Sequence, residues 1–267
     1  MSYWRNKVVL VTGGSAGLGR AIAHAFSQRG AKVIIAARNQ VRLTDTVNEL
    51  RSDGKSVTGF VADVTNDAQV ESLVAKCVAS HDRLDVLVNN VGRSTRAGVL
   101  ETKPADFAKM MDLNFLSVVR CTRAAMPHLI QSSGHLINIG SLAAKTVSPY
   151  SSAYSASKHA VAAYSHQLRF EGPRNVDVLL VCPGPIARQD AGERYDDEAS
   201  NLPDEARKPG GGTKLKSINP QKLASRILRA SQKGKPELVV PSKTRLYFAI
   251  RQLWPSMGDW ILRKWTQ

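Results

Sequence analysis

Cysteine is scarce in this sequence of 267 residues: Cys77, Cys121 and Cys182 are its three thiols. An odd number of widely spaced cysteines in apolar surroundings excludes a disulfide framework and offers no zinc-binding spacing, so they read as free core thiols of a reducing compartment. Long hydrophobic runs are also missing, and none approaches the ~18 apolar residues that a membrane-spanning helix needs. Residues 1–7 lead straight into an apolar, strand-like segment, without the cationic start, apolar region and small-residue cleavage site of a secretory leader. The expectation is a soluble, cytoplasmic chain or one lying on a membrane surface.

Acidic residues are sparse toward the C-terminus. Residues 206–267 hold 14 Lys and Arg against Glu237 and Asp259, whereas residues 1–205 hold 23 basic against 20 acidic, so most of the formal charge of +15 lies in the last quarter. Such a field attracts anionic partners, or is a solvated basic surface. The basic residues form no recognisable nucleic-acid module, and no nucleic-acid partner is expected.

Short runs rich in Val, Ile and Leu at 8–11, 32–37, 56–62, 85–88, 135–139 and 177–182 read as buried strands. Between them, 17–29, 40–51, 67–80, 104–131 and 152–171 are long enough for helices. Strict alternation calls for parallel strands joined by right-handed crossovers, hence an α/β doubly wound sheet of the Rossmann type with its ligand crevice at the carboxyl ends of the strands. Residues 1–243 are expected to form a single domain. Within it, 183–219, with three prolines beyond Pro183, a triple glycine and many charges, is expected to be a mobile substrate loop. Residues 220–232 read as a further helix and 237–240 as a last strand, followed by a helical tail at 244–267.

The segment from Thr12 to Gly19, with Gly13, Ser15, Gly17 and Leu18 between, follows the first strand and opens the first helix. Glycines there let the backbone turn and approach a pyrophosphate, whose charge meets the free N–H groups of the helix start. The spacing is Gly-x3-Gly-x-Gly, not the dinucleotide pattern Gly-x-Gly-x-x-Gly. The second strand ends without the acid that binds a ribose 2′-hydroxyl. It ends instead at Arg38, a guanidinium suited to the 2′-phosphate of NADP(H), and an exposed surface arginine is the competing reading. Asp63, followed by Val64, closes the third strand and suits an adenine amino group; Asn89 to Gly92, including Asn90, closes the fourth. Both are also ordinary turn chemistry.

Tyr154 and Lys158 stand four apart in a predicted helix and so share a face. A tyrosine hydroxyl, with an ordinary pKa near ~10, becomes a useful acid–base group only where positive charge stabilises the phenolate, and Lys158 is placed to supply it. Ser141 follows the fifth strand and suits a hydrogen bond to a substrate oxygen that gains charge. Singly, each residue has a structural explanation: a core-edge aromatic, a solvated lysine, a helix cap.

Taken together and in this order, these motifs resemble the short-chain dehydrogenase/reductase family over about the first 185 residues. Thr12 to Gly19 is similar to its glycine-rich loop, Asp63 to its adenine-binding acid, and Asn89 to Gly92 to its Asn-Asn-Ala-Gly motif with Val91 in place of alanine. Asn114, Ser141, Tyr154 and Lys158 match its catalytic asparagine, serine, tyrosine and lysine. The resemblance implies hydride transfer between NADP(H) and a small-molecule carbonyl or alcohol; a lipid-like or steroid-like substrate is the expectation where the tail lies in a membrane interface. Tyr154 would be the general acid, Lys158 would bind the nicotinamide ribose, Ser141 would orient the carbonyl and Asn114 would hold a water of the proton relay. It also implies a homodimer or homotetramer through the helices at 104–131 and 152–171. Pro183, Gly184 and Ile186 would flank the nicotinamide, but the family's threonine in this segment is replaced by Arg188, facing either the pyrophosphate, an anionic substrate or solvent. The rival reading is an NADP-binding regulator or membrane-associated adaptor without turnover, against which the complete Ser141, Tyr154 and Lys158 set argues.

In the tail, Leu246, Ile250, Leu253, Met257, Ile261 and Trp265 recur at helical spacing, with Pro255 expected to start a second helix. Trp254, Trp260 and Trp265 lie there among Arg251, Arg263 and Lys264. Two readings stay open: helices packed on their own domain or on a second subunit, and a peripheral membrane contact through 244–267.

Overall fold

The computed structural model describes residues 2–52, 54–188 and 215–266, with 195, 199, 201–208, 210 and 213 between them. Seven parallel strands form one sheet: β1 Val8–Thr12, β2 Lys32–Ala37, β3 Val57–Val61, β4 Val86–Asn89, β5 His135–Ile139, β6 Asp177–Pro183 and β7 Glu237–Val240. Their order is β3-β2-β1-β4-β5-β6-β7. The chain steps outward to one side from β1, then returns to β4 on the other. The crossovers above β1 and β4 therefore diverge and leave a crevice at the carboxyl ends of the strands.

The uninterrupted apolar strands are explained by burial on both faces. Val9, Val11, Ile35, Val88 and Ile137 join one core with the helices α1 Gly17–Ser27, α2 Gln40–Ser52 and α8 Pro220–Gln232. Val8, Leu10, Ile34, Leu87 and Leu136 join the opposite core with α3 Asp67–His81 and α5 Ser117–Ser132. Neighbouring strand residues thus serve different cores, the period of two expected of a pleated strand. Each fully buried Ile, Leu or Val contributes about 1.5–3 kcal/mol.

The helix expected over 104–131 is built in three parts: α4 Pro104–Met111, a π-helical turn Asp112–Leu116, and α5. Wide turns of this kind shift the register by one residue and occur often at functional sites. Here the turn carries Asn114, which is fully buried. A short 3-10 turn, Leu142–Ala144, follows β5, and α6 Ser152–Glu171 supplies the Tyr154 and Lys158 pair. Of the loop expected at 183–219, residues 189–194, 196–198, 200, 209, 211–212 and 214 lie outside the described residues; the rest include the bridge between Ile186 and Ile218 and the short α7 Asp204–Arg207. The tail forms α9 Thr244–Leu253 and α10 Pro255–Thr266, with Pro255 at the first position as expected. Among the described residues no helix is long and apolar enough to cross a membrane.

The junction of β1 and α1 is the tightest part of the crevice. Gly17 has φ +51°, and a Cβ on Gly19 would collide with the carbonyl oxygen of Gly13. Because the colliding atom is backbone, relief requires moving the loop itself. Gly19→Ala is expected to lower stability by about 1–3 kcal/mol, read from urea denaturation; an unchanged midpoint would mean that the loop yields freely.

Candidate active site

One cavity of about 910 Å³ runs along the carboxyl ends of the strands. Gly13, Ser15, Gly17, Leu18 and Gly19 line it, as do Arg38, Asp63, Val64, Asn90 and Gly92. Ser141, Tyr154, Lys158, Pro183, Gly184 and Ile186 complete the set expected on its wall. Residues separated by well over a hundred positions in sequence thus face one space, because every strand delivers its successor loop to the same edge.

The glycine-rich loop is fixed from β4. Asn90 donates through Nδ2 to the carbonyls of Thr12 at 3.0 Å and Gly13 at 3.2 Å, while its own amide donates to Thr12 Oγ1 at 3.0 Å. Asn90 is therefore a brace for the loop at the cavity wall. At the far end, Arg38 lies 3.6 Å from the Asp63 carboxylate, which also accepts hydrogen bonds from the amide and hydroxyl of Thr65. Burial tends to raise the Asp63 carboxyl, but the Thr65 hydrogen bonds and the Arg38 charge outweigh it and hold the group below its ordinary range. Arg42, which sequence reading did not single out, lines the same end one helical turn beyond Arg38.

At the other end, Lys158 is almost wholly buried and donates from Nζ to the carbonyl oxygen of Ile139, the last residue of β5, at 2.8 Å. Its Nζ lies 5.9 Å from the Tyr154 ring centroid. Ser141, the next residue but one after Ile139, accepts the Ala143 amide at Oγ over 3.1 Å and caps the 3-10 turn. Its hydroxyl proton remains for a ligand in the cavity, so the capping role and a binding role are compatible.

Asn114 stands behind this wall instead of on it. Its Nδ2 donates to the Arg93 carbonyl and to Ser157 Oγ, both at 2.9 Å, and its Oδ1 accepts the Arg93 amide at 2.9 Å. Ser157 in turn donates to the Tyr154 carbonyl at 2.7 Å. The π-helical turn therefore grips both the segment after β4 and the helix turn that bears Tyr154. A Cβ on Gly92 would approach Asn114 Oδ1 to 3.0 Å and Lys158 Nζ to 3.2 Å, so the two groups meet beneath that glycine. Ser157 went unnoticed in the sequence because a serine inside a helix carries no pattern; only the fold brings Asn114 to it.

The tail closes the cavity. Tyr247 and Phe248 of α9 and Leu262 and Trp265 of α10 line it, and the Tyr247 hydroxyl lies 3.1 Å from Thr146 Oγ1. The apolar spacing in the tail signalled a buried face, though not which part of the domain it covers. Arg188 reaches back toward the start of α1: its Nη1 would be 4.0 Å from a Cβ on Gly17. Arg188 also lines the cavity beside the glycine-rich loop.

These residues fit a dinucleotide. The loop is stripped of side chains where a pyrophosphate must approach the helix start, the far end offers guanidinium groups, and a buried ammonium and a hydroxyl converge at the near end. Burial pushes the Lys158 ammonium down to about 8. Because the folded pKa lies below the unfolded one, the folded protein carries a desolvation penalty below pH 8 that is relieved as the pH rises toward 10.5. The penalty is on the order of 3 kcal/mol at ~1.4 kcal/mol per pK unit. Lys158→Met is therefore expected to be more stable than the parent at pH 7 in chemical denaturation, with the gap narrowing above pH 8. A gap that stays constant from pH 7 to pH 10 would contradict the buried charge.

The family model for short chain dehydrogenases matches residues 7–199. A Drosophila melanogaster protein named dehydrogenase/reductase SDR family protein 7-like is 33% identical over 267 aligned residues, covering 97% of this chain and 80% of that protein. An uncharacterized oxidoreductase of Bacillus subtilis, YxnA, is 28% identical over 97% of this chain and 72% of its own length. Among solved structures, a variant actinorhodin polyketide ketoreductase with NADPH superposes with a TM-score of 0.79 at 27% identity, covering 90% of this chain and 97% of that one. A short chain dehydrogenase/reductase from Burkholderia phymatum in complex with NAD shares the fold, with a TM-score of 0.82 at 24% identity over 96% of each chain. The extent of the family match, together with the Rossmann sheet and its glycine-rich crevice, shows that this chain belongs to the short-chain dehydrogenase/reductase family of oxidoreductases.

Proposed function

We propose that this protein uses NADP(H) to interconvert a carbonyl and a secondary alcohol, with Tyr154 as the group that gives up or takes the proton. The observation that carries the reading is that Tyr154, Lys158 and Ser141 line the same cavity as the glycine-rich loop. The bound nicotinamide supplies or accepts the hydride. In the reducing direction Ser141 donates a hydrogen bond to the carbonyl oxygen, which gains negative charge, and Tyr154 transfers its phenolic proton to that oxygen. Lys158 holds a positive charge within about one helical turn of the phenolate left behind, and its bond to the Ile139 carbonyl fixes the ammonium in place. Asn114 and Ser157 position the turn of α6 that carries Tyr154.

Two observations support NADP(H) over NAD. No carboxylate ends β2, and Arg38 and Arg42 line that end of the cavity. On the substrate side, Leu142, Val147, Phe248, Leu262 and Trp265 supply an apolar wall beside Ser141. Such a wall suits a lipid-like or steroid-like carbonyl compound, whose apolar surface gains from leaving water.

Tyr154→Phe keeps the ring and removes the proton. It is expected to lower kcat for carbonyl reduction by about 10²- to 10⁴-fold while NADPH binding, read by cofactor fluorescence, stays within experimental error; undiminished turnover would refute the assignment. Arg38→Ala is expected to weaken NADPH binding by roughly tenfold or more, the loss of one charge-assisted hydrogen bond, with NADH binding unaffected. Equal losses for both nucleotides would place Arg38 away from the 2′-phosphate.

A further inference from the structure

The tail has two faces, and the cavity uses only one of them. In α10, Gly258, Leu262 and Trp265 lie at helical spacing toward the body of the protein, Gly258 being buried and the other two lining the cavity. Met257, Trp260 and Lys264 lie on a different stripe, at 100° per residue about 100–160° from Gly258. In α9, Tyr247 and Phe248 face inward, whereas Leu246 and Leu253, seven apart, share the opposite side. The two helices pack closely, since a Cβ on Gly258 would come within 2.7 Å of Arg251 Cα. Their outer sides therefore form a single ridge. On it Leu246, Leu253, Trp254, Met257 and Trp260 are each 42–70% exposed.

Charge surrounds this apolar ridge. Residues 241–267 include Lys243, Arg245, Arg251, Arg263 and Lys264 against one acid, Asp259; Arg245 also pairs with Glu237 at 3.6 Å and Lys243 lines the cavity, while Lys264 Nζ sits 4.1 Å from the Trp260 ring centroid. Large apolar and tryptophan side chains edged by cations are complementary to the boundary between anionic headgroups and acyl chains. Neither helix of the tail is long and apolar enough to span a bilayer, so the complementary arrangement lies in the plane of the surface. A second copy of the same ridge fits less well, because a two-fold pairing would set its cations, Lys264 among them, against the same cations of the copy. Nucleic acid would satisfy the cations but leave the tryptophans, leucines and methionine without an apolar partner.

We propose that the outer face of the α9–α10 hairpin docks this protein on the surface of an anionic lipid membrane. The docked hairpin then stands between the lipid and the cavity, since the same two helices supply Tyr247, Phe248, Leu262 and Trp265 to the cavity wall. Entry of a lipid-like substrate from the membrane side follows, a consequence that rests on the function proposed above; the docking itself does not.

The full chain, mixed with phosphatidylcholine vesicles with and without phosphatidylserine, provides the test. Trp4 is 1% exposed and locked against Phe26, so a change in tryptophan emission reports on the tail. The expected result is co-flotation with the phosphatidylserine vesicles, a blue shift of emission, quenching by brominated acyl chains, and weakening by salt. The double variant Trp254→Ser, Trp260→Ser, both exposed, is expected to lose vesicle affinity by about tenfold or more with an unchanged thermal transition. Absence of flotation with either vesicle, or equal flotation of parent and double variant, would overturn the proposal. So would light scattering that shows the double variant splitting a parent dimer, which would assign the ridge to a second copy. Carbonyl reduction of a water-soluble substrate is read in parallel, so loss of docking and loss of the catalytic reading are distinguishable.

Discussion

An ammonium group removed from water is costly, and the architecture of this site follows from how that cost is met. Lys158 has 4% of its surface exposed, and the carbonyl oxygen of Ile139 receives its Nζ. That carbonyl is available because Ile139 ends a strand, where the ladder to β4 stops one residue earlier, at Asn138. The lysine is thus anchored to the one edge of a parallel sheet where backbone acceptors are left over. Every other functional group is delivered to the same edge by the same topology: the glycine-rich loop after β1, Arg38 after β2, Gly92 after β4 and Ser141 after β5.

Much of this arrangement is legible in the sequence because it depends on local patterns. Apolar runs of five or six residues separated by helix-length segments specify a parallel sheet with two covered faces, and all the strands expected from them form. Glycines between β1 and α1, and a Tyr and Lys four apart, are equally local. What escaped sequence reading depends on contacts between distant segments. Asn114 is picked out by the family resemblance, but not the π-helical turn that carries it or its bonds to Arg93 and Ser157 in distant segments. Nor does the sequence show that the Asp63 carboxylate contacts Arg38 and Thr65. The tail showed an apolar period without showing that Tyr247 would reach Thr146, about a hundred residues away.

The same contrast separates what the family shares from what this chain adds. Family membership brings the sheet, the crevice and nicotinamide-dependent oxidoreduction. The individual character lies in an Arg at the end of β2, in Arg188 facing the start of α1, and in a hairpin whose inner side walls the cavity while its outer side leaves two tryptophans in water. In the function proposed above, selectivity for nucleotide and for substrate falls to these parts, as expected where one fold serves many reactions.

The central claim is that the buried lysine, four residues beyond a tyrosine, makes that tyrosine acidic once the cofactor is in place. Ultraviolet difference titration of tyrosinate in the NADP-bound protein, with Tyr154→Phe subtracted, measures this directly. The account predicts one phenol ionising well below the ordinary value near ~10. A difference spectrum in which the Tyr154 signal appears only at or above that pH would contradict it.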